Sequence, residues 1–587
     1  MKRLILSSIL TTLLTTGTNA APVSRNAAMA SAEKFLETKW YSNNNQTPLR
    51  KKLKKGNRSS SYSSYYIFNI ENEGGFIVVS GDDRARTILA YSDKGSITET
   101  DMPDACRFWL NHYSKEISAL VAGEISNIDI LPTASQTEAV APLIQTKWDQ
   151  KYPYNIFCPT ESNGMRCVTG CVATATAQVM RYYSHPAQAS GTITYDDNAQ
   201  QTRRTLDFST IDPFDWDNMT LTYNYNSTEI QCNAVANLMK AAGYGVKMQY
   251  SPSTSLAYHR SVGEALINYF GYDKNLHLYE RDLMTAKEWE TIILDELNAG
   301  RPIVYEGRNS EIGHDFICDG YDGNHLFHFN WGWSGLSDGY FSLSALNPDQ
   351  QSTGGSSAGY NDSQAIICRI APVGKIESSR QTSFLMTIYT LYFRDATAYH
   401  KAAETASLKT TLSDGQLFFD CFNKGFYDFT GEIWAAIVDD NKIKPIIRSN
   451  AGTIAGGSYG RLSFPLVDAD LNDGTYTIGF FYRLDDTDEW HRVTATPDQP
   501  IECTLTIKGT EVTLSPLKQH KDEESGIGST VINNKTEITI FDLNGRKIQT
   551  IKTLEEYEDI DISSLPNGIY ILRIKTSEGI KTRKIII

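Results

Sequence analysis

The sequence has no excess of positive charge and, after its first residues, no long apolar run. Its 55 lysines and arginines are outnumbered by 69 aspartates and glutamates, which gives a formal net charge of −14. This balance argues against nucleic acid or an anionic membrane surface as the main partner. No segment after residue 20 is long and apolar enough to span a bilayer, so we expect no transmembrane segment in the mature chain.

Cysteine is scarce, and its spacing does not fit a usual metal site. The nine cysteines stand at 106, 158, 167, 171, 232, 318, 368, 421 and 503. Three of them are spaced Cys158-x8-Cys167-x3-Cys171, which is not a zinc pattern, and we expect neither a metal nor an organic cofactor. The odd number leaves at least one thiol unpaired within the chain, whereas a Cys158–Cys167 bridge stays possible.

The first twenty residues have the pattern of a secretory signal peptide. Lys2 and Arg3 precede a short apolar core, Leu4–Leu14, and small and polar residues lead to Ala20. We therefore expect cleavage after Ala20 and an exported protein that is soluble or held at the cell surface.

The remaining chain is too long for one hydrophobic core, and its patterns change along its length. In residues 21–140, two predicted strands over 65–70 and 75–80 are followed by an amphipathic helix over 108–120, which together indicate a small α+β domain.

The later regions indicate one two-lobed unit and then β modules. Residues 141–372 are helix-rich first and strand-rich after Gly300, which predicts two lobes with an active-site cleft between them. Short β-like runs over 373–515 predict a β-sandwich module of the immunoglobulin-like kind. Residues 516–587 combine a polar linker with a last β unit, so the expected fold class of the whole chain is α+β.

Cys171 is the strongest candidate for a catalytic residue. It follows Gly170 and opens a run of small and aliphatic residues that reads as a helix and stops near Pro186. The N-terminus of a helix favours a thiolate over a thiol, and the thiolate is the nucleophilic form of cysteine. With a suitable histidine, Cys171 is a candidate for acyl-transfer chemistry.

His314 is the candidate histidine, in the segment Gly313-His314-Asp315-Phe316. The segment reads as a strand, so His314 and Phe316 should point to one face and Asp315 to the other. We expect the chain to fold so that the sulfur of Cys171 meets the imidazole of His314.

Three further residues complete a candidate site. Asn330 can accept a hydrogen bond from one imidazole nitrogen and so orient the ring, and Trp331 can shield that bond from water. The side-chain amide of Gln150, with the backbone N–H of Cys171, can stabilise a tetrahedral oxyanion, and one such donor is worth about 3 kcal/mol of barrier.

These motifs resemble the streptopain-like family of papain-clan cysteine peptidases, which includes interpain-type enzymes. The matching segments are Thr169–Gln178, Gly313–Phe316 and His328–Trp333, in the family's order. The resemblance implies a papain-like catalytic domain over 141–372, with Cys171 as the nucleophile, His314 as the acid/base partner, Gln150 as the oxyanion donor, Asn330 as the orienting residue and Trp331 in support. Asp315 departs from the pattern, because a small apolar residue is expected there.

Two flanking regions carry resemblances of their own. Gly74–Asp82 is similar to the core of that family's inhibitory propeptide, which implies that residues 21–140 inhibit the enzyme until cleavage between about 120 and 142. Three C-terminal segments, Thr539–Arg546, Leu565–Tyr570 and Lys584–Ile587, resemble the sorting domain of Bacteroidetes type IX secretion substrates. The implied partner is that secretion machinery, which exports its substrates through the periplasm.

We therefore expect a secreted zymogen of a cysteine endopeptidase that cleaves protein or peptide substrates through a Cys171 thioester. Two alternatives stay open at this point. One is a different Cys-His acyl transfer, such as a transamidase. The other is a surface adhesin whose peptidase-like domain is inert.

Overall fold

The computed structural model describes most of the chain outside the predicted signal peptide. The described residues are 22–41, 52–54, 63–98, 101–122, 138–284, 286–308, 313–344, 364–376, 386–439, 442–449, 453–485, 490–495, 499–517, 536–542, 547–553, 569–576 and 579–586. The signal peptide over 1–20, most of the region of expected propeptide cleavage and most of the polar linker after 516 lie outside them.

Both α-helices and strands occur up to residue 368, whereas the described residues after 386 contain strands and two short 3-10 helices, Ala402–Glu404 and Leu466–Asp468. The α-helices are α1 (Arg25–Tyr41), α2 (Asp104–Ala122), α3 (Cys171–Tyr183), α4 (Glu229–Gly245), α5 (Arg260–Tyr269) and α6 (Ala286–Asn298). The strands up to residue 368 are β1 (Tyr65–Asn69), β2 (Phe76–Ser80), β3 (Ile88–Ser92), β4 (Thr192–Asp197), β5 (Thr202–Asp207), β6 (His277–Glu280), β7 (Ile303–Arg308), β8 (Gly313–Tyr321), β9 (Phe327–Asn330), β10 (Gly339–Phe341) and β11 (Ala365–Cys368).

One antiparallel sheet joins the predicted propeptide to the predicted catalytic domain. Its strand order is β1-β2-β3-β10-β9-β8-β7-β11-β6. The two regions meet where β3 pairs with β10, with Tyr91 opposite Tyr340 and Ala90 opposite Phe341. The rings of Tyr91 and Tyr340 stack with their centroids 5.0 Å apart. The strands predicted over 65–70 and 75–80 are thus confirmed as β1 and β2, and they are part of a larger sheet than expected.

The two faces of this sheet bury different helices. On one face Ile317 packs in a core with α3, α4 and α5, which form a helical lobe, and this arrangement confirms the two lobes predicted from the sequence. On the other face α2 and α6 cover Phe316 and its neighbours. The predicted apolar stripe of α2 is fully buried there; its members are Leu110, Tyr113, Ile117 and Leu120.

The described residues between 386 and 517 form two facing sheets, as the β-sandwich prediction requires. Their strands are β12 (Met386–Arg394), β13 (Tyr399–Lys401), β14 (Leu408–Thr411), β15 (Gln416–Asn423), β16 (Glu432–Asp439), β17 (Lys442–Arg448), β18 (Tyr459–Pro465), β19 (Gly474–Arg483), β20 (His491–Arg492), β21 (Thr494–Ala495), β22 (Glu502–Lys508) and β23 (Glu511–Leu517). One sheet has the order β13-β12-β15-β18, with β21 paired to β12, and the other has the order β14-β23-β22-β19-β16-β17, with β20 paired to β19. Between them Phe419 and Phe480 pack at a ring distance of 4.8 Å. The immunoglobulin-like character of this module stays a prediction.

The last residues form a separate four-stranded unit. It contains β24 (Thr536–Asp542), β25 (Lys547–Thr553), β26 (Ile569–Thr576) and β27 (Gly579–Ile586), in the order β25-β24-β26-β27. None of the helices in the described part of the chain combines the length and the apolar character that a bilayer crossing demands.

Candidate active site

Cys171 is the first residue of α3, as the sequence predicts. The turn ahead of it is made by Gly170, whose φ of +86° lies in the left-handed region that favours glycine. A Cβ at this position would also lie only 2.9 Å from the carbonyl oxygen of Ser255. The hydroxyl of Thr174 donates to the carbonyl of Gly170 over 3.0 Å and closes the first helical turn. Glycine at 170 therefore lets the chain place Cys171 close to the loop that contains Ser255.

The surroundings of Cys171 in this structure favour the thiol over the thiolate. Burial, and then the negative charge of Asp315, raise the pKa of Cys171 to about 12, although backbone N–H groups at the helix start act in the opposite direction. One of the opposing donors is the backbone N–H of Asp315, which lies 3.5 Å from Sγ. Desolvation therefore opposes the helix terminus in this state, and the expected thiolate stays a prediction.

His314 lies on the face of β8 that is turned towards α2. Its ring centroid is 6.5 Å from that of Phe108. The imidazole lines a cavity of about 230 Å³ whose other walls come from α2, namely Asp104, Arg107, Phe108, Asn111, His112 and Lys115. Burial lowers the pKa of His314, although Asp104 and Asp315 partly oppose this effect. The imidazole is therefore neutral at neutral pH.

The predicted alternation along β8 is confirmed, and it explains why Cys171 and His314 do not meet here. Phe316 belongs to the core under α2, whereas Ile317 packs in the core of the helical lobe, where Cys171 lies. His314 shares the face of Phe316, so its ring points away from the sulfur. Among the described residues no hydrogen bond joins the side chains of Cys171 and His314, contrary to the expected contact.

Gln150 lies beside the approach to Cys171. Its carbonyl oxygen accepts the backbone N–H of Thr169 over 3.0 Å, so the two segments run next to each other just before the helix. The residue is half-buried. Its neighbour Asp149 accepts a hydrogen bond from the hydroxyl of Ser334 over 2.8 Å, which ties this segment to the loop after β9. The structure therefore brings Gln150 to the same region as Cys171.

Asn330 is bonded to α3 and to its own loop rather than to His314. Its Nδ2 donates to the carbonyl of Thr146 over 2.8 Å, and its Oδ1 accepts from Nε2 of Gln178 over 3.1 Å and from the N–H of Gly332 over 3.0 Å. The residue is fully buried. Its side-chain amide thus links the end of β9 to α3, and the expected bond to the imidazole is not formed in this state.

Trp331 is buried in an aromatic cluster under α2. Its ring lies 4.7 Å from that of Phe316 and 6.4 Å from that of Trp109 on α2, and its Nε1 donates to the carbonyl of Ser337 over 2.9 Å. The predicted propeptide helix and the predicted shielding residue therefore share one core.

A histidine that sequence reasoning missed lies near the nucleophile. Nδ1 of His259 is 2.7 Å from Oδ2 of Asp315, and both side chains are about 2% exposed. The departure at Asp315 was visible in the sequence, but no local signal marks its partner 56 residues upstream. All nine cysteines are free thiols in this structure, so the possible Cys158–Cys167 bridge is not formed.

Three regions of the chain match known families. Residues 148–341 match the peptidase C10 family, residues 20–117 match the Spi protease inhibitor, and residues 525–587 match the secretion system C-terminal sorting domain. Streptopain from Streptococcus pyogenes is 34% identical over 333 residues, which cover 53% of this chain and 82% of that protein. The chain belongs to the peptidase C10 family.

Other similar proteins cover different shares of the chain. The thiol protease/hemagglutinin PrtT of Porphyromonas gingivalis is 29% identical over 513 residues, or 84% of this chain, and the chain spans 57% of its length. A prointerpain A fragment from Prevotella intermedia is 32% identical, covers 54% of this chain and 98% of its own length, and has a TM-score of 0.47. Active interpain A is 35% identical over 41% of this chain and 98% of its own length, with a TM-score of 0.35.

The matches also assign the flanking regions of this C10 chain. The region over 20–117 is an inhibitor-type propeptide, and the sorting domain directs the protein to type IX secretion. The protein is therefore secreted or attached to the cell surface.

Proposed function

We propose that the protein is the secreted zymogen of a cysteine endopeptidase, with Cys171 as the nucleophile and His314 as its acid/base partner. The observation that carries the proposal is the position of His314. Its imidazole is covered by α2 of the propeptide, on the face of β8 opposite the sulfur of Cys171. The two groups lie on opposite faces of β8 and do not contact each other, and this fits a latent enzyme.

The proposed reaction starts when α2 leaves and the His314 ring reaches the sulfur. The imidazole takes the proton of Cys171, and the thiolate attacks the carbonyl carbon of a peptide bond. The side-chain amide of Gln150 and the N–H of Cys171 stabilise the oxyanion. The amine leaves with the proton from His314, and water then hydrolyses the thioester to regenerate the thiol. Asn330 and Trp331 keep the end of β9 packed against the site, the former through Gln178.

The test compares residues 21–587 with the Cys171→Ala variant, and with Cys232→Ala as a control that removes a thiol from α4. The parent and the control should process themselves and release new amine termini from casein, whereas Cys171→Ala should do neither. A Cys171→Ala protein that matures and digests like the parent would refute the mechanism.

The same experiment separates the alternatives. An epoxide inhibitor that labels Cys171 while no peptide is released would favour a transamidase. A processed chain that neither labels nor digests would favour an adhesin with an inert domain.

A further inference from the structure

The β-sandwich module is bound to the peptidase domain through the first residue of α5. Nη1 of Arg260 donates to the carbonyl of Lys424 over 2.8 Å, and Nη2 donates to the carbonyl of Gly425 over 2.5 Å. Its Nε donates to Glu264 one turn further along α5, over 3.2 Å. One guanidinium thus makes directed bonds both to its own helix and to the loop over 423–427 of the sandwich.

An aromatic ring completes this contact. Phe426 packs under the guanidinium of Arg260, with 4.8 Å between Cζ of Arg260 and the centroid of the Phe426 ring. The ring also fills the space above Gly263, where an added Cβ would lie 2.3 Å from it. Lys424 is fully buried and forms an ion pair with Glu280 on β6. A buried lysine, a stacked arginine and a glycine that admits a ring indicate a fixed contact rather than a loose tether.

The residue before Arg260 reaches the candidate active site. His259 forms the buried 2.7 Å pair with Asp315. Asp315 follows His314 in β8, and its backbone N–H lies 3.5 Å from the sulfur of Cys171. Two adjacent residues of α5 and its cap therefore contact the sandwich on one side and the strand that carries His314 on the other.

We propose that the β-sandwich module holds the start of β8, the strand that carries His314, in place; we call this role a brace. The loop over 423–427 fixes Arg260, Arg260 holds His259, and His259 holds Asp315, so that the first residues of β8 keep their distance to Cys171. Arg260, His259 and Asp315 are positioning residues in this proposal. The proposal rests on the proposed function, because it assigns a use to the place of His314.

The contacts at the start of β8 explain why its bond to His259 matters for catalysis. The start of β8 is paired with the end of β7, where His314 lies opposite Gly307, and α2 covers its outer face. When the propeptide leaves, the side-chain bond from Asp315 to His259 still ties this strand end to the helical lobe. A displacement of about 1 Å at a catalytic group costs about 100-fold in rate, so a fixed strand end matters.

The test uses the full chain, matured by its own activity, in four forms: parent, Arg260→Ala, Asp315→Asn and the double variant. Arg461→Ala is the matched control, because Arg461 also lies over a phenylalanine ring and pairs with a carboxylate, but it does so within the sandwich. For each protein kcat and KM on a fluorogenic peptide are measured per titrated Cys171, together with the Tm.

We expect Arg260→Ala to lower kcat about 10-fold with KM changed less than twofold, and Asp315→Asn to lower kcat about 100-fold. The double variant should be no slower than Asp315→Asn, because both changes break one chain of contacts. Arg461→Ala should keep the parent kcat. A parent-like kcat for Arg260→Ala, or effects that multiply in the double variant, would overturn the brace.

A second measurement does not depend on turnover and covers a variant that folds poorly. In the Cys171→Ala proenzyme, Phe426→Leu should speed amide hydrogen exchange at residues 313–316 several-fold without changing exchange in β1 and β2. Unchanged exchange there would refute the brace even if the enzyme is active. A parent chain without Cys171-dependent turnover would instead refute the proposed function, whatever the exchange shows.

Discussion

The backbone N–H of Asp315 points at the sulfur of Cys171 across 3.5 Å, while the ring of its neighbour His314 lies on the other face of the same strand. The sulfur of Cys171 therefore lies next to the strand that carries His314, but it contacts the backbone of Asp315 and not the imidazole of His314. Activation in this molecule requires the imidazole of His314 to reach this sulfur, and α2 covers the imidazole on the opposite face of β8.

Trp109 should be the main anchor of α2. Its ring is fully buried, lies 4.9 Å from that of Phe329, and its Nε1 donates to the carbonyl of Ser342 over 3.0 Å. Trp109→Ala should cost about 3–5 kcal/mol of unfolding free energy, measured by denaturant titration in the Cys171→Ala background. In the active background the same change should shorten the lag before self-processing. Ser118→Ala, on the exposed face of α2, is the control; equal stabilities would contradict the assignment.

Low pH should weaken the packing of α2 over His314. Burial lowers the pKa of His314 while the helix covers it, so the covered form binds fewer protons than the uncovered one. The inhibition that depends on neutral His314 is present above the ordinary histidine pKa of about 6.5 and is lost as the pH falls through and below it. Hydrogen exchange in α2 of the Cys171→Ala proenzyme, corrected for intrinsic rates, should be faster at pH 5.5 than at pH 7.5.

The matched variants for this prediction are His314→Asn and His400→Asn. The first removes the titrating ring and should flatten the pH dependence, although Asp104, Arg107, His112 and Lys115 face the same cavity and Asp315 lies beside His314. The second alters a histidine of the sandwich and should leave it unchanged. A steep dependence that survives in His314→Asn would assign the effect to one of those other groups.

The carboxylate of Asp315 should suppress the reactivity of Cys171 in the zymogen. Its negative charge is the second cause of the raised thiol pKa, after burial. Asp315→Asn removes the charge, so the thiol pKa should fall, and each unit of fall increases the thiolate fraction about tenfold below that pKa. Alkylation of the intact proenzyme by iodoacetamide, followed by mass spectrometry at pH 8, should be faster than in the parent or in an Asp420→Asn control. A slower alkylation of Asp315→Asn would contradict the prediction that the Asp315 carboxylate raises the pKa of the Cys171 thiol.

The sorting domain should be required for export but not for folding. Residues 525–587 match this domain, and its strands form a unit of their own. In a host with type IX secretion, deletion of 525–587 should leave the protein in the periplasm, as judged by cell fractionation and immunoblotting. Full-length Cys171→Ala should reach the medium or surface, which shows that export does not need activity. Export of the truncated chain would contradict this role.

Local patterns in the sequence were sufficient for elements whose cause is local. The α2 stripe, the start of α3 after Gly170 and the alternation along β8 all follow from a period of 3.6 or 2.0 residues, or from a glycine turn. These local patterns do not predict which face of β8 lies next to Cys171, because that depends on how α3 packs against the sheet.

The structural features that the sequence does not predict depend on contacts between residues that are distant in the chain. Tyr91 and Tyr340 are paired across the domain boundary, and His259 meets Asp315, but neither pair leaves a periodic signal. The surroundings of the Cys171 thiol are a related case. The helix terminus is visible in a sequence, whereas the burial that opposes it is not.

The pairing of β3 with β10 bears on how activation is completed. When the linker is cut, this contact changes from one within a chain to one between two molecules, and the high effective concentration of the propeptide is lost. The uncovered edge, Gly339–Phe341, is only three residues long and offers few backbone groups to a returning strand. A single cut followed by dilution should therefore commit the enzyme to its active form, while in a crowded compartment the severed fragment could still return as a reversible inhibitor.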